Sequence, residues 1–265
     1  MIGIGIAGCG GRMGRALVAA VAASQEARLA GATARSAALQ GQDAGTLAGL
    51  DPLGAAIGED AAALFAASDA VIDFTSPEAT LHHAAIAART GKALVIGTTG
   101  LTPADSDTIA AAAQHAPIVL APNMSLGVNL LLGLVEQVAR TLGPDFDIEI
   151  LELHHRLKKD APSGTALGLG QAAARGRGIS LDEAAIRSRD GLTGARPEGA
   201  IGFATLRGGD VVGDHTVIFA GLGERLELSH KASDRNIYAR GALRAALWAA
   251  QQPPGLYGMK DVLGL

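Results

Sequence analysis

Apolar positions in this chain fall into short runs separated by glycine-rich or proline-led turns. Ile2, Ile4 and Ile6 begin a buried strand, residues 8–14 turn on glycine, and an apolar stretch from Ala16 through Val21 continues as a helix. A second strand fits residues 28–33. Residues 36–68 are less regular and rich in Gly and Ala, with Asp51-Pro52 marking a turn. Clearer units follow. Ala70-Val71-Ile72-Asp73-Phe74 reads as a strand, and Ser76-Pro77-Glu78 supplies a cap, a first helical residue and an early acid for the next helix. Ala93-Leu94-Val95-Ile96 is another strand, running into Gly97-Thr98-Thr99-Gly100, after which Thr102-Pro103-Ala104-Asp105 starts a helix in the same manner. Ile118-Val119-Leu120 runs into Ala121-Pro122-Asn123-Met124-Ser125. Strands alternating with helices predict an α/β fold with a parallel, doubly wound sheet.

The pattern changes after about residue 125. A long apolar helix spans roughly 126–142, and a strand covers 147–153. Segments 199–206, 215–220 and 225–230 alternate as strands do, with no helix between them. They predict an antiparallel-type sheet, hence a second domain of α+β type. An Ala-rich helix over about 234–250 resembles those of the first domain.

Composition narrows the function classes. The chain has 265 residues, a net charge of −4 and only 3% aromatic residues, which argues against nucleic acid as a partner. The single Cys9 excludes an intramolecular disulfide and suits a reducing compartment. No run reaches about 18 apolar residues without a charge or breaker, so no membrane span is expected. The N-terminus lacks the basic and apolar regions of a secretory signal. The expectation is a cytoplasmic α/β enzyme.

A literal Gly-x-Gly-x-x-Gly match at Gly3-Ile4-Gly5-Ile6-Ala7-Gly8 alternates with isoleucines and belongs to the first strand. The loop that follows a strand and opens a helix is Gly8-Cys9-Gly10-Gly11-Arg12-Met13-Gly14. Glycines there permit a tight turn and close approach of a pyrophosphate to a helix N-terminus. A tight turn that binds nothing is the alternative. At the end of the second strand, where an acid would bond both ribose hydroxyls, the chain reads Ala32-Thr33-Ala34-Arg35-Ser36. Arg35 suits a 2′-phosphate, so NADPH is favoured over NADH, a plain surface arginine being the other reading. Gly97, Thr98 and Thr99, and Ala121, Pro122, Asn123 and Met124, end predicted parallel strands, the edge where such sheets bind ligands.

The chain's longest polar stretch is Glu152-Leu153-His154-His155-Arg156-Leu157-Lys158-Lys159-Asp160-Ala161-Pro162-Ser163-Gly164-Thr165-Ala166. His154 and His155 point to opposite faces if the preceding strand continues. Histidine exchanges protons near neutral pH. Lys158 can donate a proton and stabilise developing negative charge. Ser163-Gly164-Thr165 looks like a capped helix start that suits a carboxylate or phosphate, and an ordinary capped helix would look the same. The adjacent histidines lack the i, i+4 spacing of a helical His pair, and the one cysteine is far away, so no metal is expected.

The run Glu152-x-His154-His155-x-x-Lys158-x-Asp160-x-Pro162-Ser163-Gly164-Thr165-Ala166 is similar to the signature of the 4-hydroxy-tetrahydrodipicolinate reductase (dihydrodipicolinate reductase) family of bacterial lysine biosynthesis. The resemblance extends to Gly8 through Gly14, Asp73-Phe74-Thr75, Gly97-Thr98-Thr99-Gly100, Asn123-Met124-Ser125-Leu126-Gly127-Val128-Asn129 and His230-Lys231-Ala232. It implies hydride transfer from a reduced nicotinamide to a cyclic imine-type dicarboxylate, with loss of water. His154 is then the acid/base and Lys158 the proton donor, with His155, Ser163, Gly164 and Thr165 at the substrate carboxylates. The loop Gly8, Cys9, Gly10, Gly11, Arg12 and Met13, with Gly97–Thr99 and Ala121–Met124, would hold the cofactor. The implied fold is a Rossmann domain over 1–125 and 236–265, with a substrate-binding and tetramerisation domain inserted at 126–235. Two positions depart from the family: Ala34 stands where many members carry an acid, which leaves Arg35 favouring NADPH, and Ser76 stands where some carry a base, which limits that preference. A related oxidoreductase, such as an aspartate or semialdehyde dehydrogenase, is opposed by the intact His154–Thr165 run and by the placing of Cys9 in the cofactor loop. A dinucleotide-sensing protein without turnover is opposed by His154 and Lys158.

Overall fold

The computed structural model describes all 265 residues. Strand β1 (Ile2–Ala7) buries Ile4 and Ile6 completely. Its glycines are packing residues: a Cβ on Gly5 would lie 2.5 Å from Ser68 Oγ. Gly3 and Gly5 of the literal Gly-x-Gly-x-x-Gly match therefore serve the strand, and Gly8 lies beyond it. Helix α1 (Arg12–Ala22) follows and leads to β2 (Ala27–Thr33). The region read as irregular contains α2 (Ala44–Leu47), capped by Asp43, then β3 (Ile57–Gly58) and α3 (Ala61–Ala67), whose first N–H groups bond the Asp60 carboxylate. Strand β4 (Ala70–Asp73), α4 (Pro77–Thr90), β5 (Ala93–Ile96), α5 (Pro103–Ala113) and β6 (Pro117–Leu120) complete this run. Ser76 caps α4, and Thr102 with Asp105 forms a capping box on α5, so both proline-led starts are helix N-termini.

Helix α6 (Leu126–Leu142) leads into β7 (Asp147–His154), α7 (Gly164–Arg177), α8 (Leu181–Ala184), β8 (Ala185–Ile186), β9 (Ile201–Arg207), β10 (Gly213–Gly221) and β11 (Glu224–Ala232). The chain ends with α9 (Asn236–Ala249), β12 (Gly255–Tyr257) and α10 (Met259–Leu263). Contacts divide it into two units, Met1–Leu126 with Asn236–Leu265, and Gly127–Arg235.

The first unit is a Rossmann-type sheet of seven parallel strands in the order β12-β6-β5-β4-β1-β2-β3. Alternation along each strand divides its side chains between two helix layers. Ile4, Ile6, Ile72 and Val95 pack with α1 and α9 on one face, while Val71, Leu94 and Ile96 pack with α3, α4 and α5 on the other. Strand order reverses at β1 and β4, so the loops leaving those strands diverge and open a crevice at their C-terminal ends.

The second unit is α+β, with a five-stranded sheet in the order β11-β10-β7-β9-β8. One face of this sheet packs on α6 and α7 through Ile148, Ile150, Phe203, Val217 and Phe219. The expected antiparallel arrangement holds for β10 with β11 and β7, but β7 pairs with β9 in parallel, as does β8. The sheet is therefore mixed. Helix α7 and its flanking segments lie between β7 and β9 and provide the long crossover that a parallel pair requires.

Close approach depends on small residues in α9. A Cβ on Gly241 would lie 1.7 Å from the Met124 carbonyl oxygen. Gly241→Ala is expected to cost about 1–3 kcal/mol, because backbone must move. Urea unfolding should show a lower midpoint at constant slope; an unchanged midpoint would mean that α9 shifts away from Met124 freely.

Candidate active site

The first unit builds a glycine loop. Gly8 sits at φ +83°, and a Cβ there would lie 2.9 Å from Thr75 Cγ2. The N–H groups of Gly8 and Cys9 both donate to the Thr33 carbonyl, at 2.9 Å each, tying the loop to the end of β2. Gly11 is the N-cap of α1 and supplies no side-chain cap to the first turn's N–H groups. Gly14 is required by packing, since its Cβ would meet the Gly8 carbonyl at 2.2 Å. Cys9 is buried, which pushes its thiol up despite a backbone N–H and Arg15, so only its backbone belongs to the loop surface. Met13 packs against the core, and Arg12 is exposed.

Beside this loop lies a cavity of about 720 Å³ bordered by Gly8, Gly11, Arg35, Ser76, His82 and His83. Its shape, uncapped helix start and exposed arginine fit a dinucleotide. Thr75, His82 and His83 were not anticipated. Asp73, fully buried at the end of β4, accepts from Thr75 Oγ1 at 2.5 Å and pairs with His83 Nδ1 at 2.8 Å. Thr98 donates to the same carboxylate at 3.4 Å and accepts from Thr80 Oγ1 and the Thr75 N–H. The Thr98 side chain is thus turned inward, 6% exposed, while Thr99 is exposed. Gly97 leaves room for Phe74, whose ring a Cβ would overlap. Beyond β6, the Ala121 N–H donates to the Ile96 carbonyl, the Asn123 side chain accepts from the Ser125 N–H, Met124 is buried and Pro122 is exposed.

The second unit gathers a buried polar cluster at the end of β7. Glu152 and His154, two residues apart on one strand, share the inward face. Glu152 is 1% exposed and His154 7%. His154 Nδ1 lies 2.5 Å from Glu152 Oε2. Arg207, opposite His154 in the parallel register, grips the same carboxylate with Nη1 at 2.7 Å and Nη2 at 3.0 Å. The Ser163 N–H donates to Glu152 Oε1 at 3.0 Å. Burial pushes the Glu152 carboxyl up, but Arg207, His154 and Ser163 outweigh it and hold it below the ordinary glutamate range. Burial pushes His154 down; Glu152 opposes that, Lys158 and Arg207 add to it, and the net is downward.

Ser163 caps α7 by accepting from the Ala166 N–H, and its Oγ lies 3.0 Å from His215 Nε2. Its side chain is therefore occupied in structure, whereas Gly164, the first helical residue, is exposed with open space at its Cβ position. Thr165 is half-buried in the same turn. His155 lies beyond the strand, half-buried, with its N–H donating to the Val211 carbonyl. Lys158 pairs with Asp160 at 2.9 Å. The His215 ring stands edge-on to His154 at 5.0 Å, and its Nδ1 is buried without a partner. Arg207 and His215 were not read from sequence. No group of three or more His, Cys, Asp or Glu side chains is arranged to hold a metal ion, and no helix is long and apolar enough to cross a membrane.

A Rossmann-type sheet with an open glycine loop, together with an α+β unit carrying His154 paired with Glu152 and Lys158 four residues on, defines a nicotinamide-dependent oxidoreductase. Family models described as dihydrodipicolinate reductase, N-terminus, and dihydrodipicolinate reductase, C-terminus, match residues 2–124 and 127–263. The chain is 61% identical over 261 residues to 4-hydroxy-tetrahydrodipicolinate reductase of Rhodopseudomonas palustris, covering 98% of this chain and 96% of that protein. It is 57% identical over 266 residues to the protein of the same name from Brucella abortus, covering 100% and 99%. Dipicolinate-bound dihydrodipicolinate reductase from a Paenisporosarcina species shares the fold, with a TM-score of 0.80 at 24% identity over 98% of this chain and 99% of that one. The chain belongs to the dihydrodipicolinate reductase family.

Burial first, and the neighbouring His154 next, push His215 down to about 4. The unfolded chain takes up this proton near the ordinary value of 6.5, the folded chain only near 4. The neutral histidine's contribution is therefore complete above pH 6.5 and is lost as pH falls towards 4. At about 1.4 kcal/mol per pH unit the loss is on the order of 3 kcal/mol. Unfolding free energies measured from pH 7 to 4 should fall less steeply in His215→Phe than in the wild type; parallel curves would show that His215 does not carry this dependence.

Proposed function

We propose that this chain reduces 4-hydroxy-tetrahydrodipicolinate to tetrahydrodipicolinate, with loss of water, in lysine and diaminopimelate biosynthesis. The observation that carries the reading is the end of β7. There a buried His154, a lysine four residues on and the start of α7, with Gly164 exposed, occur in one segment. In balance, one hydride and one proton enter the substrate and one water leaves. A reduced nicotinamide dinucleotide, held by its pyrophosphate at the first unit's glycine loop, would supply the hydride. His154 acts as acid and base, and the Lys158 ammonium donates the proton and stabilises charge developing on the substrate. The first turn of α7 presents Gly164 and Thr165 at a positive helix end to one carboxylate, with Ser163, whose own N–H is held by Glu152, capping that turn; His155 takes part in holding the dianion. Arg156 and Lys159 add a positive field that favours it.

The unit formed by Met1–Leu126 and Asn236–Leu265 is the dinucleotide-binding domain in this reading, and Gly127–Arg235 the substrate and tetramerisation domain. Gly8, Cys9, Gly10, Gly11, Arg12 and Met13 form the pyrophosphate loop, with Gly97, Thr98, Thr99 and Ala121, Pro122, Asn123, Met124 towards the nicotinamide. The sheet face turned away from α6 and α7, which carries exposed Leu206 on β9, supports assembly into a homotetramer. The enzyme works in the cytoplasm, calls on no metal, and favours NADPH because Arg35 borders the cavity directly after β2, where Ala34 stands in place of an acid; Glu59 and Asp60 border the same cavity from the end of β3.

The test is cofactor oxidation with substrate freshly made from pyruvate and aspartate semialdehyde by the preceding synthase. Lys158→Ala should lower turnover by about 10²–10⁴-fold while NADPH binding, followed by fluorescence, persists. Wild-type turnover in the variant would contradict the mechanism. Arg35→Ala should weaken NADPH by about tenfold or more and leave NADH binding unchanged. Equal loss for both cofactors would contradict the 2′-phosphate role.

A further inference from the structure

Glu152 has no place in the proton transfers assigned above, yet it has the most demanding surroundings in the second unit. Its carboxylate is almost without solvent contact and receives donors from three elements. Oε2 faces His154 Nδ1 on its own strand and Arg207 Nη1 from β9. Oε1 faces Arg207 Nη2 and the Ser163 N–H at the N-cap of α7, with Thr205 Oγ1 at 3.5 Å. We propose that Glu152, clamped by Arg207, is a positioning residue: it fixes His154 as the Nδ1–H tautomer, aims Nε2 for proton exchange, and ties the ring to the first turn of α7. The inference rests on the acid–base role proposed for His154.

An ionised carboxylate only accepts hydrogen bonds, and a guanidinium cannot give up its proton. The imidazole nitrogen 2.5 Å from Oε2 must therefore carry the hydrogen, and in the neutral ring Nε2 is left as the bare acceptor. Gly213 borders that nitrogen: a Cβ there would lie 2.9 Å from Nε2, so any other residue would crowd it. The edge of His215 packs against the His154 ring and restrains its rotation. The charged and titratable groups facing His154 are Glu152 on β7, Lys158 in the loop after it, Arg207 on β9 and His215 on β10. Of these only Glu152 raises its proton affinity; burial, Lys158 and Arg207 lower it. The same carboxylate that orients the ring thus keeps its affinity from falling further. Because Oε1 also holds the Ser163 N–H, a shift of Glu152 would move the proposed carboxylate-binding turn together with the proposed acid–base group.

The experiment is ¹⁵N NMR of histidine-labelled full-length protein at pH 7 to 8, with His154→Asn identifying the signals of His154. The proposal expects a protonated Nδ1 and a bare Nε2 in the wild type. A wild-type ring protonated on Nε2 would overturn it without recourse to any variant. In the kinetic arm, Glu152→Gln should lose at least about tenfold in kcat with KM within about twofold, in the manner of a histidine that has lost its orienting carboxylate. The limb of its pH–rate profile governed by His154 should move to lower pH. Arg207→Lys, which keeps the charge and loses the two-pronged grip, should fall between wild type and Glu152→Gln. An unmoved limb with wild-type kcat in Glu152→Gln would also overturn the proposal. Wild-type turnover in His154→Asn would instead defeat the acid–base reading itself, and the tautomer measurement distinguishes that failure from this one.

Discussion

The second unit is organised around one buried negative charge. An isolated carboxylate in a protein interior is strongly disfavoured, so Glu152 can stay ionised only where donors converge on it. Those donors are the Arg207 guanidinium, the His154 ring and the Ser163 backbone, supplied by β9, β7 and α7. The parallel pairing of β7 with β9 sets Arg207 opposite His154. The cap of α7 brings Ser163 to the other oxygen. Sheet register, helix start and the chemistry of the histidine are therefore one constraint, and removing the carboxylate would leave a largely buried guanidinium uncompensated.

The first unit uses the same device in another setting. Asp73 ends β4 fully buried, paired with His83 of α4 and bonded by hydroxyls of Thr75 and Thr98. It joins the loops leaving β4 and β5 to the helix that borders the cavity. In each unit a carboxylate at the C-terminal end of a strand sacrifices solvent and gains a histidine, and the loops that carry the proposed site are stiffened as a result. Precise loops matter here because a helix N-terminus binds an anion only where its N–H groups are aimed.

Much of this was legible in the sequence. Five strands of the first unit stood out, and in β1, β4, β5 and β6 both faces are buried, which gives short apolar runs bounded by turn residues. The capped helix starts at Ser76, Thr102 and Ser163 were equally clear, since hydroxyl caps act through local spacing. Elements β3, α3 and β12 were not, because they are short and owe their shape to neighbours. The direction of β9 was hidden too: a period of two marks a strand and says nothing of its partner. Arg207 and His215 lie 55 residues from Glu152 and 52 from Ser163, so only the folded register brings them in. The nearer signal was Glu152-x-His154, an acid and a histidine on one strand face. Thr98 illustrates the converse, a threonine at a ligand edge whose hydroxyl is taken by a buried acid.

The central claim is that this chain moves a hydride from a nicotinamide to a cyclic dicarboxylate. The most direct measurement supplies NADPH deuterated at both hydride positions of its ring, together with freshly generated 4-hydroxy-tetrahydrodipicolinate, and reads the product by mass spectrometry. The account predicts tetrahydrodipicolinate carrying a single deuterium, formed in step with cofactor oxidation. Product without deuterium, or cofactor that stays reduced while the substrate is present, would contradict it.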